Sequence, residues 1–244
     1  MLDGQTCLVT GSSRGIGRGI AEELGRHEAE VVVNYRSSEA AAHETVDAIE
    51  DAGGTAIAVQ GDVADYDEVQ AMCERVHDAF GRVDVLVNNA GITIDKKFEH
   101  MTKEDWETVV DVNLGGVFNC THCLFEDIKK SDQGRLINIS SVVGQQGNYG
   151  QANYATTKSG LFGFTRTLAL ELASTGSTAN CVAPGFVKTD MLEDVPERVQ
   201  QKIIDRIPLN RFAEVEDIAG IVRFLSTKES GYMTGQAVNG GMEW

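Results

Sequence analysis

The chain has 244 residues, 42% of them hydrophobic, with 26 glycines and only 3 prolines: ample apolar material for a large core and no Pro-rich linker. A formal net charge of −16 and a pI near 4.6 exclude a nucleic-acid surface, which needs a basic stripe. No run approaches the roughly 18–20 apolar residues that span a bilayer, and the opening MLDGQTCLVTG has no basic segment followed by an apolar core, so a soluble, cytoplasmic protein is expected.

Length alone permits one domain or two, and periodicity decides between them. QTCLVT (5–10) reads as a strand and IGRGIAEELGRH as a helix; VVVNY (31–35) follows as a strand, and EAAAHETVDAIEDA as a helix stopped by Gly53 and Gly54. The alternation continues through TAIAVQ, a helix over about 66–80, DVLVNN, a long helix over about 103–130, RLINIS, a helix over about 152–174, and STANCVAP. Short, fully apolar strands separated by helices predict a parallel sheet covered on both faces: a single α/β domain of the Rossmann type, doubly wound. The stretch 186–212, with Pro196 and Pro208 flanking VQQKIIDRI, breaks the rhythm and is expected to form a small helical lid over the strand ends.

The five cysteines, Cys7, Cys73, Cys120, Cys123 and Cys181, are odd in number and scattered through apolar segments, as suits reduced thiols. Cys120 and Cys123 form a CxxC inside a helical pattern with no second pair at zinc spacing, so they are read as packing residues and no metal site is expected. Acidic stretches such as EEL, HEAE and DVADYDEV fall on solvent faces of the helices. An ordinary acidic cytosolic protein and a halophilic one both fit, and the scarcity of lysine favours the halophilic source.

After the first strand stands TGSSRGIG, in which Gly11, Gly15 and Gly17 space a strand-to-helix turn that also holds Ser13, Arg14 and Ile16. Such a turn lets a pyrophosphate approach the backbone and meet a helix N-terminus. The second strand ends in Asn34, Tyr35 and Arg36, with no carboxylate to hold a ribose 2′-hydroxyl; Arg36 and Arg14 instead provide two cations for a 2′-phosphate, which predicts NADP(H) over NAD(H).

Tyr154 and Lys158 are four residues apart on one helix face. Reducing a ketone needs an acid near the carbonyl, and a neighbouring ammonium is expected to pull the tyrosine pKa down toward neutrality. Ser141 follows the strand RLINIS at its carboxyl end, where its hydroxyl would bind the substrate oxygen. The histidines, His27, His43, His77, His100 and His122, form no assignable cluster.

TGSSRGIG, NNAG (88–91), Asn113 in VNLGG, Ser141, YATTK (154–158) and Pro184-Gly185, in this order along the whole chain, resemble the classical short-chain dehydrogenase/reductases. The resemblance implies a catalytic set of Asn113, Ser141, Tyr154 and Lys158, with Lys158 also holding the nicotinamide ribose and the Asn113 side chain fixing a water that links Lys158 to solvent. It further implies cofactor contacts at Asp62 and Val63 beside adenine, at Asn89, Ala90 and Gly91 beside the adenosine ribose, and at Pro184, Gly185, Val187 and Thr189 on the nicotinamide half. Locally, SSVVGQQGNYGQANYATTKSGLFGFT and the ending NGGMEW look like 3-oxoacyl thioester reductases, nearest the acetoacetyl-CoA reductases of polyhydroxyalkanoate synthesis. By that likeness Asn148, Tyr149, Gln151 and Phe186 border the acyl group. The 3-oxoacyl-ACP reductases of fatty acid synthesis compete with this reading. Carrier protein docks through basic residues, of which Lys96, Lys97, Lys129 and Lys130 are the few candidates, so CoA is favoured as the thioester carrier. The helices around 103–130 and 152–174 and the C-terminal segment resemble the interfaces of a homotetramer.

Overall fold

The computed structural model describes residues 2–188 and 196–241. Seven strands, β1 (Thr6–Val9), β2 (Glu30–Tyr35), β3 (Thr55–Gln60), β4 (Val85–Asn88), β5 (Arg135–Ile139), β6 (Thr178–Pro184) and β7 (Ala237–Gly240), form one parallel sheet in the order β3-β2-β1-β4-β5-β6-β7. Between them lie α1 (Gly15–Arg26), α2 (Glu39–Asp51), α3 (Tyr66–Phe80), α4 (Lys103–Val110), α5 (Gly116–Lys130), α6 (Val143–Gln146), α7 (Ala152–Leu172), α8 (Glu197–Ile204) and α9 (Val215–Ser226).

Alternation along the strands builds the two layers. Cys7 and Val9, Val31 and Val33, Val85 and Val87 point to one face, where Ile20 and Leu24 of α1, Ile49 of α2 and Val222 of α9 cover them. Leu8, Val32, Leu86 and Leu136 point to the other, against Met72 of α3, Leu124 of α5 and Leu172 of α7. The fold class follows the sequence expectation, but α9 and β7 lie beyond the last predicted strand. Their weak legibility has a physical source: β7 is a four-residue edge strand, AVNG, with alternate residues exposed.

The predicted helix over 103–130 is continuous but carries a π-turn at Asp111–Gly115, between α4 and α5. Within the expected lid, α8 lies where Pro196 and Pro208 bracket it, and the bridge Val187 to Ala213 brings the flanks of the segment together. Among the described residues, no helix is long and apolar enough to cross a membrane. Strand order reverses at β1, since β2 and β3 extend to one side and β4 begins the other; this switch point, at the carboxyl ends of β1 and β4, is where such sheets bind ligands.

Candidate active site at the carboxyl ends of the strands

The turn after β1 is held from beneath by Asn34, a residue only 1% exposed: its Oδ1 accepts the Gly11 N–H at 3.0 Å while its Nδ2 donates to the Gly61 carbonyl at 3.0 Å. The Thr10 hydroxyl accepts the N–H groups of Asn89 and Ala90, each at 3.0 Å, and Asn89 Nδ2 donates back to the Thr10 and Gly11 carbonyls at 2.9 and 3.1 Å. The glycines answer to this packing first. A Cβ at Gly17 would stand 2.4 Å from Asn89 Nδ2, and one at Gly11, with φ +61°, 3.0 Å from Ala90 Cα. Gly11 and Gly17 are thus required by the neighbouring NNAG loop, a protein-on-protein reason that spacing alone does not reveal.

Helix α1 starts at Gly15 with no side chain capping its N–H groups and no acid in its first turn, the chemistry an anionic group needs. Ser13 is buried, Ile16 and Tyr35 pack on the core, and Arg14 is exposed at the helix start. Arg36 is also exposed, and Asp62, arriving from the end of β3, places Oδ2 3.9 Å from Arg36 Nη1. Asp62 is itself fixed, its N–H donating to Glu68 at 2.8 Å, and Val63 is buried against Gly116 with its carbonyl accepting from Asn119 at 2.9 Å.

Ser141, Tyr154 and Lys158 come together at the ends of β5 and α7. The Ser141 hydroxyl acts on the Tyr154 phenol, favouring its ionised form, and Lys158 Nζ lies 5.6 Å from the Tyr154 ring centroid. Lys158 is 4% exposed and donates to the Ile139 carbonyl at 2.8 Å; burial brings its pKa down to about 8. The predicted effect on Tyr154 runs the other way. Burial raises the phenol pKa, the Ser141 hydroxyl opposes it, and the Asp95 carboxylate adds to the rise; the Lys158 ammonium, directed at Ile139, does not lower it.

Asn113 lies in the π-turn, a distortion that recurs at functional sites. Its amide is taken up by protein: Oδ1 accepts from the Ile92 N–H at 2.8 Å, and Nδ2 donates to the Ile92 carbonyl and the Thr157 hydroxyl at 3.0 and 3.1 Å. The side chain that was expected to fix a water therefore ties the NNAG loop to α7. A Cβ on Gly91 would lie 3.2 Å from Asn113 Oδ1 and 3.3 Å from Lys158 Nζ, so this glycine lets three elements converge.

The residues expected around the acyl group are more exposed. Tyr149 is 79% exposed, with Lys97 Nζ 5.9 Å from its ring centroid. Asn148 Nδ2 donates to Gln151 Oε1 at 2.9 Å. Phe186 packs edge-on against Phe212 and lines a cleft of about 240 Å³ with Ile207, Leu209 and Ile221, a cleft whose wall does not include Tyr154. The carbonyl of Pro184 accepts from Val142, the Gly185 N–H donates to Gly240, and Val187 is buried; Thr189 and the final residues 242–244 lie outside the described residues. The sequence reading missed Asn34 and Asp95. Asn34 sat unweighed beside Tyr35 and Arg36, and nothing in ITIDKK signals that Asp95 faces Tyr154.

The family described as short chain dehydrogenase matches residues 5–200. The chain is 50% identical over 244 residues to a 3-oxoacyl-(acyl-carrier-protein) reductase of Synechocystis sp., covering 99% of this chain and 98% of that one. It is 47% and 46% identical over 240 residues to the 3-oxoacyl-(acyl-carrier-protein) reductases FabG of Staphylococcus aureus and Staphylococcus epidermidis, with 98% of each chain covered.

Proposed function

The chain belongs to the short-chain dehydrogenase family, a family of oxidoreductases, and on that premise we propose that it reduces the 3-oxo group of acyl thioesters with NADPH, the acyl chain being delivered on acyl carrier protein. One arrangement carries the reading: Tyr154, with Ser141 acting on its phenol and buried Lys158 behind it, at the strand ends beside an uncapped α1.

The residues present fit a dinucleotide. The amino end of α1 with Gly11, Ser13, Gly15, Ile16 and Gly17 would take its phosphates, Arg14 and Arg36 a 2′-phosphate, and Tyr35, Asp62, Val63 and the 89–91 loop the adenosine. Lys158, Pro184, Gly185, Val187 and Thr189 would meet the nicotinamide half. When bound, the reduced nicotinamide supplies a hydride. Tyr154 holds the proton that the carbonyl oxygen requires, and burial keeps that phenol protonated at neutral pH. Ser141 donates to the same oxygen as charge develops on it. Lys158, with its pKa near 8, is placed to restore the proton through the site. Asn148, Tyr149, Gln151 and Phe186 border the acyl chain, the segment 186–212 acts as its lid, and a homotetramer of cytoplasmic, salt-adapted subunits completes the proposal.

The relatives named for carrier-protein substrates favour that carrier over the CoA reading drawn from overall acidity. The lysines weigh less than their number: Lys129 and Lys130 pair with Glu126, at an end of α5 where the Lys130 carbonyl meets Arg82, ahead of β4. Within one chain they stand at the amino ends of the strands, away from Tyr154. Lys96 pairs with Asp105, and Lys97 stands at the mouth beside Tyr149. Steady-state kcat/KM on acetoacetyl-ACP and acetoacetyl-CoA, each with NADPH and NADH, tests both halves. Carrier protein and NADPH should each win by about tenfold or more. A CoA preference restores the acetoacetyl-CoA reductase reading, and equal use of NADH removes the role given to Arg14 and Arg36.

A further inference from the structure

Three hydrogen-bonded rungs join the segment after β4 to the segment entering α7. Asn153 Nδ2 donates to the Ile94 carbonyl at 3.1 Å, Gln151 Nε2 to both Asp95 carboxylate oxygens at 2.9 and 3.0 Å, and the Lys96 N–H to the Gly150 carbonyl at 2.8 Å. Numbers rise on one side as they fall on the other, so the two segments run antiparallel. The outer side is anchored: Lys96 Nζ reaches Asp105 at 2.8 Å, and Asp105 forms the capping box of α4 with Thr102. The Thr93 hydroxyl also donates to Asp95. Gln151 carries the constraint on to the exposed rim, since its Oε1 accepts from Asn148. Asn153 does the same for the reacting residue, because its Oδ1 accepts the Tyr154 N–H at 2.8 Å.

We propose that Asp95 is a positioning residue for the reduction: its carboxylate is the central rung that fixes Gln151 at the substrate mouth and holds the start of α7, and with it Tyr154, against the segment after β4. This rests on the reading of Tyr154 as the proton donor. A carboxylate takes the Gln151 amide on both of its oxygens while also accepting the Thr93 hydroxyl, whereas an asparagine there offers one acceptor oxygen and presents its own donors. The titratable and charged groups facing Tyr154 are Asp95 from the segment after β4, Ser141 from the segment after β5 and Lys158 from α7; Cys181 of β6 lies behind Lys158. Of these, Asp95 holds the phenol in its protonated form, in addition to burial.

The test compares Asp95→Asn with Asp95→Glu, reading three quantities. These are the Tyr154 titration, as phenolate absorbance of each variant minus its Tyr154→Phe partner; kcat and KM across pH for any carbonyl substrate that wild type reduces; and Tm. Asp95→Asn is expected to move the Tyr154 titration and the alkaline limb of kcat to lower pH, and to lower kcat/KM about tenfold, as loss of a charge-assisted hydrogen bond does. Asp95→Glu should return the titration toward wild type. An unmoved titration with kcat/KM within about twofold of wild type overturns the proposal. A lower Tm with both unchanged overturns it too, since Asp95 would then serve folding alone. If Asp95→Asn does not fold, Gln151→Met cuts the rung and keeps the charge: kcat/KM must fall with the titration in place, and an unchanged kcat/KM overturns the proposal. Should wild type reduce no carbonyl substrate, the functional reading fails while the phenol titration still decides the placement of Asp95.

Discussion

The two halves of the site are built by different means. On the side proposed for the cofactor, the turn after β1, the NNAG loop and the end of β2 are locked by buried side chains bonded to backbone groups: Asn34 beneath Gly11, Thr10 beneath Asn89 and Ala90, and Gly17 pressed on Asn89. On the acyl side, the segment 148–151 stands out toward solvent and is held mostly by side chains, with Tyr149 79% and Leu209 70% exposed. Buried side chains that each hold particular backbone groups leave few residue types that fit, whereas an exposed rim tolerates many. The fold therefore dictates the half proposed for the cofactor and leaves the half proposed for the acyl chain free to vary.

The largest effect expected is at the seam between the halves. Tyr154→Phe removes one hydroxyl but keeps the ring, so the fold stays while the proposed proton donor is lost. General acid catalysis contributes about 10²–10⁴-fold, and kcat should fall by that factor with NADPH binding, followed by its fluorescence, within about twofold of wild type. A variant retaining a tenth of wild-type kcat would take the role of donor away from Tyr154.

The contrast itself is broken or sharpened by a matched pair of truncations. Asn34→Ala leaves the Gly11 N–H and the Gly61 carbonyl without their buried partner and should cost roughly 2–4 kcal/mol in urea unfolding, with NADPH affinity falling as the turn loosens. Tyr149→Ala, on the exposed rim, should change stability by less than about 0.5 kcal/mol and act on KM for the thioester alone. Equal stability losses would mean that both halves are packed alike and that the comparison is mistaken.

The same division governs what the amino-acid sequence made legible. TGSSRGIG and NNAG are readable because a strand, a turn and a helix must meet there at close range, and Tyr154 with Lys158 because a four-residue spacing on a helix is a geometric statement. Asn34 escaped because its work is to bond two loops that are distant along the chain, 23 and 27 residues away. Asp95 escaped for the same reason, with Gln151 56 residues on. The direction of the Tyr154 shift was misjudged because helical spacing places Lys158 near the ring but says nothing of where its ammonium points, which is toward Ile139. The π-turn at Asn113 interrupts a pattern that otherwise reads as one helix, and the pair of bonds Asn113 makes to Ile92 again lies across the fold.

Lys158 stands where the two halves meet, and it supplies the most discriminating effect. Its ammonium is buried, and burial lowers its pKa from 10.5 to about 8, so holding it charged in the folded state opposes folding. The unfolded lysine keeps its proton to about 10.5 and the folded one to about 8. Between those values the unfolded state binds more protons, and wild-type stability must rise with pH. Below pH 8 both states are charged and the full cost is present; above 10.5 both are neutral and it is gone. Lys158→Met, similar in length and uncharged, removes the cost but leaves the Ile139 carbonyl without its donor, so the net gain at pH 7 should be about 2 kcal/mol. Urea unfolding of wild type and variant from pH 7 to 10.5 should show that gain shrinking as pH rises, in a protein that no longer reduces substrate. A variant less stable than wild type at pH 7, or a gap that does not narrow with pH, would mean that the charge is already compensated within the fold and that the cofactor half alone accounts for Lys158.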